Sequence, residues 1–158
     1  LVINLSKSFK FQCPSSKQWI IRARSSCVIA DGYICLFGEN TNEFIELCRK
    51  KPYVQQAGFK FAIVGSLDKR TCERTRYQPF TFSTNGMSAC IFEKTSCIEK
   101  GQIIFSNGSS NSDRQCRCDY TQGYDFITKP EHICYCVPSK EDCSCFKKRC
   151  PAGLIVSP

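Results

Sequence analysis

The fold of this chain is decided above all by residues 134–150, which read CYCVPSKEDCSCFKKRC. This segment alone contains five cysteines, and the whole chain of 158 residues contains fourteen. Free thiols at this density would oxidise or bind metal, and an even number allows every cysteine to be paired. We therefore predict that all fourteen form disulfides: Cys13, Cys27, Cys35, Cys48, Cys72, Cys90, Cys97, Cys116, Cys118, Cys134, Cys136, Cys143, Cys145 and Cys150.

Zinc binding is the alternative use of so many cysteines. A zinc knuckle needs Cys-x-x-Cys spacing with further cysteine or histidine ligands. This chain has Cys-x-Cys pairs instead, and its one histidine is His132. The sequence therefore predicts disulfides, no bound metal, and an extracellular or luminal location where disulfides persist.

Two tripeptides match the acceptor motif for N-linked glycans. They are Asn4-Leu-Ser6 and Asn107-Gly-Ser109, and the second lies in a polar, glycine-containing run typical of an exposed loop. We predict glycosylation at Asn4 and Asn107, which agrees with an extracellular chain.

The two ends of the sequence suggest a segment of a longer protein. The chain begins at Leu1 without an initiator methionine or a signal peptide, and residues 154–158 end it without a polar tail. No stretch approaches the roughly 18 to 20 apolar residues that cross a bilayer. We expect a mature segment or ectodomain whose membrane contact, if it has one, comes from sequence outside this chain.

Composition divides the chain into two predicted domains. Residues 1–87 contain five cysteines and several apolar runs, whereas residues 88–158 contain nine cysteines and scattered apolar residues. Cross-links must replace apolar burial where the core is small. The predicted fold class is therefore disulfide-rich, mainly β and irregular, with an N-terminal mixed α/β portion carrying one helix and a C-terminal elongated cysteine-rich ladder.

Short aromatic and β-branched runs bounded by turn residues predict strands. The predicted helix lies between a cap at residues 40–42 and Pro52, because Phe44, Leu47 and Cys48 would share one of its faces. The predicted strands are residues 18–23, 33–37, 59–64, 77–82 and 89–92.

The Cys-x-Cys pairs limit the disulfide pattern. Two cysteines separated by one residue point to opposite sides of an extended chain, so each pair should bond two different partners. Cys116 and Cys118 would bond Cys90 and Cys97 or cysteines further along the chain. In the first domain, Cys27 with Cys48 and Cys35 with Cys72 are both plausible, and the sequence alone does not choose.

Residues 88–158 resemble a known family. The sequence Cys97-Ile-Glu-Lys-Gly101-Gln102, followed by a polar loop, Asp113-Arg-Gln-Cys116-Arg-Cys118 and Gly123, is similar to a cysteine-rich module of the tumour necrosis factor receptors. The resemblance implies an elongated extracellular module that binds a protein ligand. Family modules usually have a further cysteine where residues 98–115 have none, so an independently evolved module is the alternative.

Basic and aromatic side chains are the candidates for ligand contact. The net charge of +8 would attract an acidic protein, a sulfated glycan or anionic lipid. Rings in the C-terminal domain have no large core to hide them, and exposed rings often anchor interfaces. The predicted ligand-binding residues are Arg74, Arg76, Tyr120, Tyr124, Phe126, Lys147, Lys148 and Arg149.

Both groups also have a simpler interpretation. Basic runs usually only keep a surface solvated. The rings of Tyr124 and Phe126 could instead cover a disulfide as a small local core.

The sequence gives little sign of catalysis. His132 lies beside Cys134 in the most densely cross-linked region, where a free catalytic thiol is not expected. Glu141 and Asp142 directly precede Cys143, which favours a turn or loop role over acid and base chemistry. We predict no enzyme and no cofactor.

The function predicted from these features is that of an extracellular, ligand-binding ectodomain of a cell-surface receptor. We expect its partner to be a protein, with an acidic protein and a sulfated glycan both left open, and no nucleic acid. A secreted cysteine-rich effector, such as a toxin or defence protein, and an adhesion or glycan-binding module are the alternatives.

Overall fold

The computed structural model describes residues 9–51, 54–83 and 85–157, so the predicted glycan acceptor Asn4 lies outside the described residues. The described chain is mainly β, with one α-helix and six disulfides, which confirms the predicted fold class. Its elements are α1 (Ser16–Ser26), β1 (Tyr33–Gly38), β2 (Glu43–Cys48), β3 (Val54–Gln55), β4 (Phe59–Val64), β5 (Ser66–Thr71), β6 (Arg76–Tyr77), β7 (Phe82–Ser83), β8 (Phe92–Glu93), β9 (Gln102–Ser106), β10 (Gln115–Cys118), β11 (Tyr124–Phe126) and β12 (Cys145–Lys147).

The chain divides into two compact units. The first unit runs up to Arg70 and includes Thr81–Ser88, and the second comprises Thr71–Phe80 and everything from Ala89 onward. Neither unit is one continuous stretch of sequence, because the chain enters the second unit, returns to the first and then leaves it again.

The first unit is built around strand β1. Its four-stranded sheet has the order β2-β1-β4-β5, with β1 antiparallel to β2 and parallel to β4. A continuous apolar run is typical of a strand buried on both faces, and the first four side chains of β1, from Tyr33 to Leu36, are accordingly buried. Tyr33 and Cys35 pack with Ala23 of α1, whereas Ile34 and Leu36 pack with the residues of β4.

Two disulfides tie the elements of the first unit together. Cys27 bonds Cys48, which confirms one predicted pair. The other prediction, Cys35 with Cys72, is wrong, because Cys35 bonds Cys13. Cys72 bonds Cys90 within the second unit.

The helix and one strand of the first unit are exchanged relative to the prediction. The segment 43–48 is not a helix but strand β2, in which Phe44 pairs with Phe37 of β1. Residues 18–23 are not a strand but lie within helix α1. Backbone pairing with a buried neighbouring strand outweighs a local helical pattern, since most helix stability comes from tertiary packing.

The remaining strand predictions have mixed outcomes. Residues 33–37 and 59–64 are strands, as predicted. The predicted strand 77–82 is wrong as a single element, because β6 ends at Tyr77 and β7 begins at Phe82. Of residues 89–92, only Phe92 lies in a strand.

The second unit has sulfur where the first unit has apolar side chains. Its buried cluster consists of Cys97, Cys116, Cys136 and Cys143, against which Phe126 packs. The strands form short antiparallel pairs, β9 with β10 and β11 with β12. The bridges of this cluster join Cys97 to Cys116 and Cys136 to Cys143, and a third bridge joins Cys118 to Cys145.

The prediction that every cysteine is bridged is wrong for Cys134 and Cys150, which are both free thiols of intermediate exposure. The other twelve cysteines all bond one another, and Cys134 and Cys150 do not form a bridge together. The rule that the two cysteines of a Cys-x-Cys pair bond different partners is confirmed for Cys116 with Cys118 and for Cys143 with Cys145.

Candidate binding groove in the second unit

A groove with a volume of about 410 Å³ lies on the second unit, beside strand β11. We call it the β11 groove. Clefts of this size are typical ligand sites, particularly when apolar walls carry a few polar groups. The lining of the β11 groove includes Arg117, Tyr120, Tyr124, Phe126, Lys129 and Ile133.

The floor of the β11 groove is held by backbone pairing and disulfides. Tyr124 pairs with Lys147 and Phe126 with Cys145, and Cys145 is in turn bonded to Cys118. The ring of Phe126 packs against the buried cysteine cluster. This contact confirms that Phe126 covers disulfides as part of a local core, while it also lines the groove.

A short 3-10 turn places Tyr120 at the groove. The turn spans Tyr120–Gln122 and begins where the side chain of Asp119 accepts a hydrogen bond of 3.1 Å from the backbone N–H of Thr121. It ends at Gly123, whose φ of +77° lies in the left-handed region that favours glycine. The turn fixes the backbone on either side of the ring.

The ring of Tyr124 lies against the backbone of Gly101. A Cβ atom built on Gly101 would come within 2.2 Å of this ring, and the φ of Gly101 is +81°. Glycine is therefore required at this position both for its backbone conformation and for the close approach of the ring. The sequence identified Gly101 as a turn residue but gave no sign of this contact.

Positive charge predominates around the β11 groove. The Nζ of Lys148 forms an ion pair of 2.6 Å with Asp125, and this hydrogen bond raises the pKa of Lys148. The Nζ of Lys147 lies 5.8 Å from the ring centroid of Tyr124. Among the described residues, no ion pair neutralises Lys147 or Lys129, so these two charges face solvent.

Arg117 is the groove residue that sequence reasoning missed. Its guanidinium carbon lies 5.1 Å from the ring centroid of Tyr120 and 6.0 Å from that of Phe105. The signal in the sequence was its position between Cys116 and Cys118. When both neighbours in a strand are buried, the residue between them points to the other face.

The structure brings some of the predicted ligand-binding residues together. Tyr120, Tyr124 and Phe126 line the β11 groove, and Lys147 lies beside it. Arg74 and Arg149 are exposed and are not among the lining residues.

Arg76, also predicted to bind ligand, is engaged within the second unit. Its guanidinium donates to the carbonyl oxygens of Cys90 and Ile91 at 2.9 and 3.2 Å, and to Glu93 at 2.7 Å. These contacts join β6 to β8 and the disulfide beside them. The side chain of Arg76 thus has a structural role in this fold.

The histidine and the acidic pair both stabilise turns. The ring of His132 stacks on Tyr135 with a centroid distance of 4.1 Å, and its Nδ1 accepts a bond of 3.3 Å from the backbone N–H of Cys134. The carboxylate of Glu141 accepts from the backbone N–H groups of Glu131 and Val137.

Asn107 lies in an exposed loop after β9. Its carbonyl oxygen accepts a bond of 2.9 Å from Lys94. The hydroxyl of Ser109, the third residue of the glycan acceptor motif, bonds within the same loop to Asn111 at 2.6 Å. The exposure of Asn107 is what a glycan acceptor requires.

Comparison with protein-family models, curated proteins and solved structures gives no match for this chain. No group of three or more potential ligand side chains in the described ranges could hold a metal ion. The described part of the chain also contains no helix with the length and apolarity needed to span a membrane. Six disulfides fit an extracellular, disulfide-rich protein.

Proposed function

We propose that this chain is the extracellular ligand-binding part of a cell-surface receptor, and that it recognises a protein ligand through the β11 groove. The observation that carries the proposal is a preformed groove with aromatic walls and two lysines that form no ion pair with a described residue, on backbone segments joined by the Cys118–Cys145 disulfide. A rigid surface loses little conformational entropy when a partner docks. Tyrosine and arginine, both present here, are enriched among residues that dominate binding energy.

The receptor assignment is also supported by the sequence resemblance. The spacing of Cys97, Gly101, Cys116 and Cys118 is similar to that of tumour necrosis factor receptor modules. In this chain, Cys97 bonds Cys116 and Gly101 provides the turn against which Tyr124 packs. The elements that carry the resemblance therefore support the groove directly.

Charge supports an acidic protein as the ligand. Lys129 and Lys147 face solvent at the β11 groove, and the exposed Arg149 follows in the same chain segment. Complementary charge speeds association and helps to select the partner.

The proposal is tested by comparing two exposed isoleucines of the second unit. Ile133 is 67% exposed and lines the β11 groove, whereas Ile98 is 82% exposed and does not. The full chain, secreted from eukaryotic cells with its disulfides formed, is screened against a panel of purified extracellular proteins. Ile133→Asp should weaken binding of the ligand by more than about tenfold, while the matched Ile98→Asp leaves it unchanged.

Both variants should melt at the wild-type temperature, because exposed positions rarely change stability by more than about 0.5 kcal/mol. Equal affinity of the two variants for the ligand found in the screen would show that binding occurs elsewhere on the chain.

We also propose that Asn107 carries an N-linked glycan when the chain passes through a secretory pathway. Enzymatic removal of N-glycans should lower the mass of the secreted chain and convert Asn107 to aspartate. Asn107→Gln should remove the part of that mass change that comes from Asn107, leaving any glycan on Asn4 and the disulfides unaffected. An unmodified Asn107 peptide from secreted material would refute this part of the proposal.

A further inference from the structure

We propose that Arg117 is the point at which the β11 groove recognises its ligand, and that it binds the carboxylate of an acidic side chain within a partly apolar peptide segment. This inference rests on the proposed function and specifies the chemistry of its ligand.

The backbone of Arg117 is fixed more firmly than that of an ordinary surface arginine. Its neighbours Cys116 and Cys118 are both buried and both bridged. Cys116 also exchanges two backbone hydrogen bonds with Cys136, of 2.9 and 2.8 Å. The side chain therefore enters the groove from a rigid base, which lowers the entropic cost of holding a ligand.

The guanidinium of Arg117 has no polar partner within the described residues. It makes no hydrogen bond or ion pair there, and its Nε atom is buried without an acceptor. Arg22 and Arg76 differ in this respect, since Arg22 pairs with Glu46 and Arg76 with Glu93. A buried donor without an acceptor is unfavourable, so the fold itself does not satisfy this side chain. The terminal Nη atoms are not buried, and a ligand carboxylate bound to them would supply hydrogen bonds that the described residues do not.

Two aromatic rings lie close to the guanidinium of Arg117 and accept none of its hydrogen bonds. Tyr120 and Phe105 lie within cation–π distance of the guanidinium. Stacking uses the face of this planar group, whereas its N–H donors lie in the plane and match the two oxygens of a carboxylate. Rings this close also reduce the access of water, which strengthens an ion pair with the ligand.

The rest of the groove favours a peptide over a sulfated glycan. Phe126, Ile133 and Val156 supply apolar surface that fits an aliphatic or aromatic side chain. Val156 is already buried, so this apolar wall is well packed. Lys129 adds a second positive charge to the lining. An acidic residue next to an apolar one satisfies both features, whereas a sulfated glycan offers no apolar side chain.

The test uses NMR spectroscopy of the full chain with ¹⁵N-labelled arginine. The probe is the peptide acetyl-Ala-Phe-Glu-Ala-amide, and the control peptide has glutamine in place of glutamate. The Nε–Hε resonance of Arg117, assigned with Arg117→Gln, should move with the glutamate peptide and stay in place with the glutamine peptide. Because both peptides are tested on the unchanged protein, this result does not depend on the folding of a variant.

Two variants then separate charge from geometry. Arg117→Lys keeps the charge but loses the planar fork, and we expect it to bind the glutamate peptide at least about fivefold more weakly. Arg117→Gln should weaken binding by about tenfold or more. Peptide mapping without reduction confirms that the bonds of Cys116 and Cys118 are intact in each variant.

Three outcomes would overturn the inference. The first is an Arg117 resonance that does not move at about 10 mM glutamate peptide. The second is an equal shift of this resonance with the glutamine peptide. The third is a shift of this resonance when a heparin tetrasaccharide is added without any peptide. A ligand lost in Ile133→Asp but retained in Arg117→Gln would also refute the role of Arg117 and leave the proposed function intact. A ligand retained in both variants would refute the proposed function itself.

Discussion

The two units of this protein bury different kinds of side chain in their interiors. In the first unit, Ile34, Leu36, Phe61 and Ile63 form an apolar cluster between neighbouring strands. In the second unit, a buried cluster consists of four cysteines with one phenylalanine packed against it. The difference shows that covalent bonds can shape a region whose sequence supplies too few apolar side chains, as small extracellular domains generally require.

Removing one disulfide from each unit should give the largest difference between the units in their loss of stability and amide protection. Replacing both Cys97 and Cys116 with alanine should cost about 3 kcal/mol or more, because a bridge closing a loop of this size contributes that amount. The loss also opens the cysteine cluster, so amides of β10 should exchange rapidly. Hydrogen exchange followed by mass spectrometry measures this effect peptide by peptide.

The matched control replaces Cys13 and Cys35 in the first unit. Their bond closes a loop of similar length, but the apolar cluster around Leu36 stays in place. We therefore expect β4 to keep most of its protection in this variant. Complete loss of protection in β4 would mean that both units depend equally on their bridges.

Truncating an apolar side chain should destabilise the first unit more than the second. Leu36 is fully buried, and Leu36→Ala should destabilise the first unit by about 2 to 5 kcal/mol. Ile104 of the second unit is 47% exposed, and Ile104→Ala should cost less than about 1 kcal/mol. Urea denaturation monitored separately for each unit measures both values. A cost for Ile104→Ala as large as that for Leu36→Ala would contradict the contrast.

Gly101 tests how closely the second unit is packed outside its cysteine cluster. Gly101→Ala should cost about 2 kcal/mol, because the residue has a positive φ and its new Cβ would collide with Tyr124. Gly123→Ala is the control, with a φ of +77° and no atom closer than 3.9 Å to the added Cβ. It should cost about 1 kcal/mol, the backbone contribution alone. Thermal melting of both variants measures the difference in stability. Equal losses would show that the ring of Tyr124 moves away from the new Cβ without a cost.

The smallest expected effect concerns an ion pair in the first unit. Arg22 donates to Glu46 at 2.6 and 2.7 Å, and this hydrogen bonding lowers the pKa of Glu46. Glu46 also accepts a short hydrogen bond from the hydroxyl of Tyr33, and burial, followed by this bond, raises the pKa of Tyr33 to about 12. A lowered carboxyl pKa stabilises the fold above the unfolded value of about 4.3 and loses that contribution as the pH falls through the folded value.

The wild-type melting temperature should therefore fall between about pH 5 and pH 3 more steeply than that of Glu46→Gln. Glu43→Gln changes an exposed glutamate of the same strand and should keep the wild-type slope. Parallel curves for wild type and Glu46→Gln would show that the pair adds nothing measurable, which is common for exposed ion pairs.

The sequence predicted those parts of the fold whose signals are local. The strands Tyr33–Gly38 and Phe59–Val64 could be predicted because a short, continuous apolar run is by itself a local signal of a buried strand. The helix prediction for strand β2 is wrong because its apolar residues fit both the helical periodicity and the alternating periodicity of a strand. In the structure, Phe44 packs toward the α1 side of the sheet and Ile45 toward the other, so consecutive residues are used on opposite faces.

The candidate site was predicted only in part, for the same reason. The rings of Tyr120, Tyr124 and Phe126 were found by their chemistry, and the structure places all three in one groove. Arg117 and Ile133 were missed, because their roles depend on disulfides between distant segments. Spacing can restrict such pairings but does not determine them.

The order of the bridges along the chain determines how the protein responds to a proteolytic nick. In the first unit, the Cys13–Cys35 and Cys27–Cys48 bonds overlap, so a cut anywhere between Cys13 and Cys48 leaves the fragments joined. Among the described residues, no bond spans Arg117, because one loop closes at Cys116 and the next opens at Cys118. A trypsin-like protease that cleaved after Arg117 would thus sever the chain into two separable pieces, and a partner covering that arginine would protect the peptide bond.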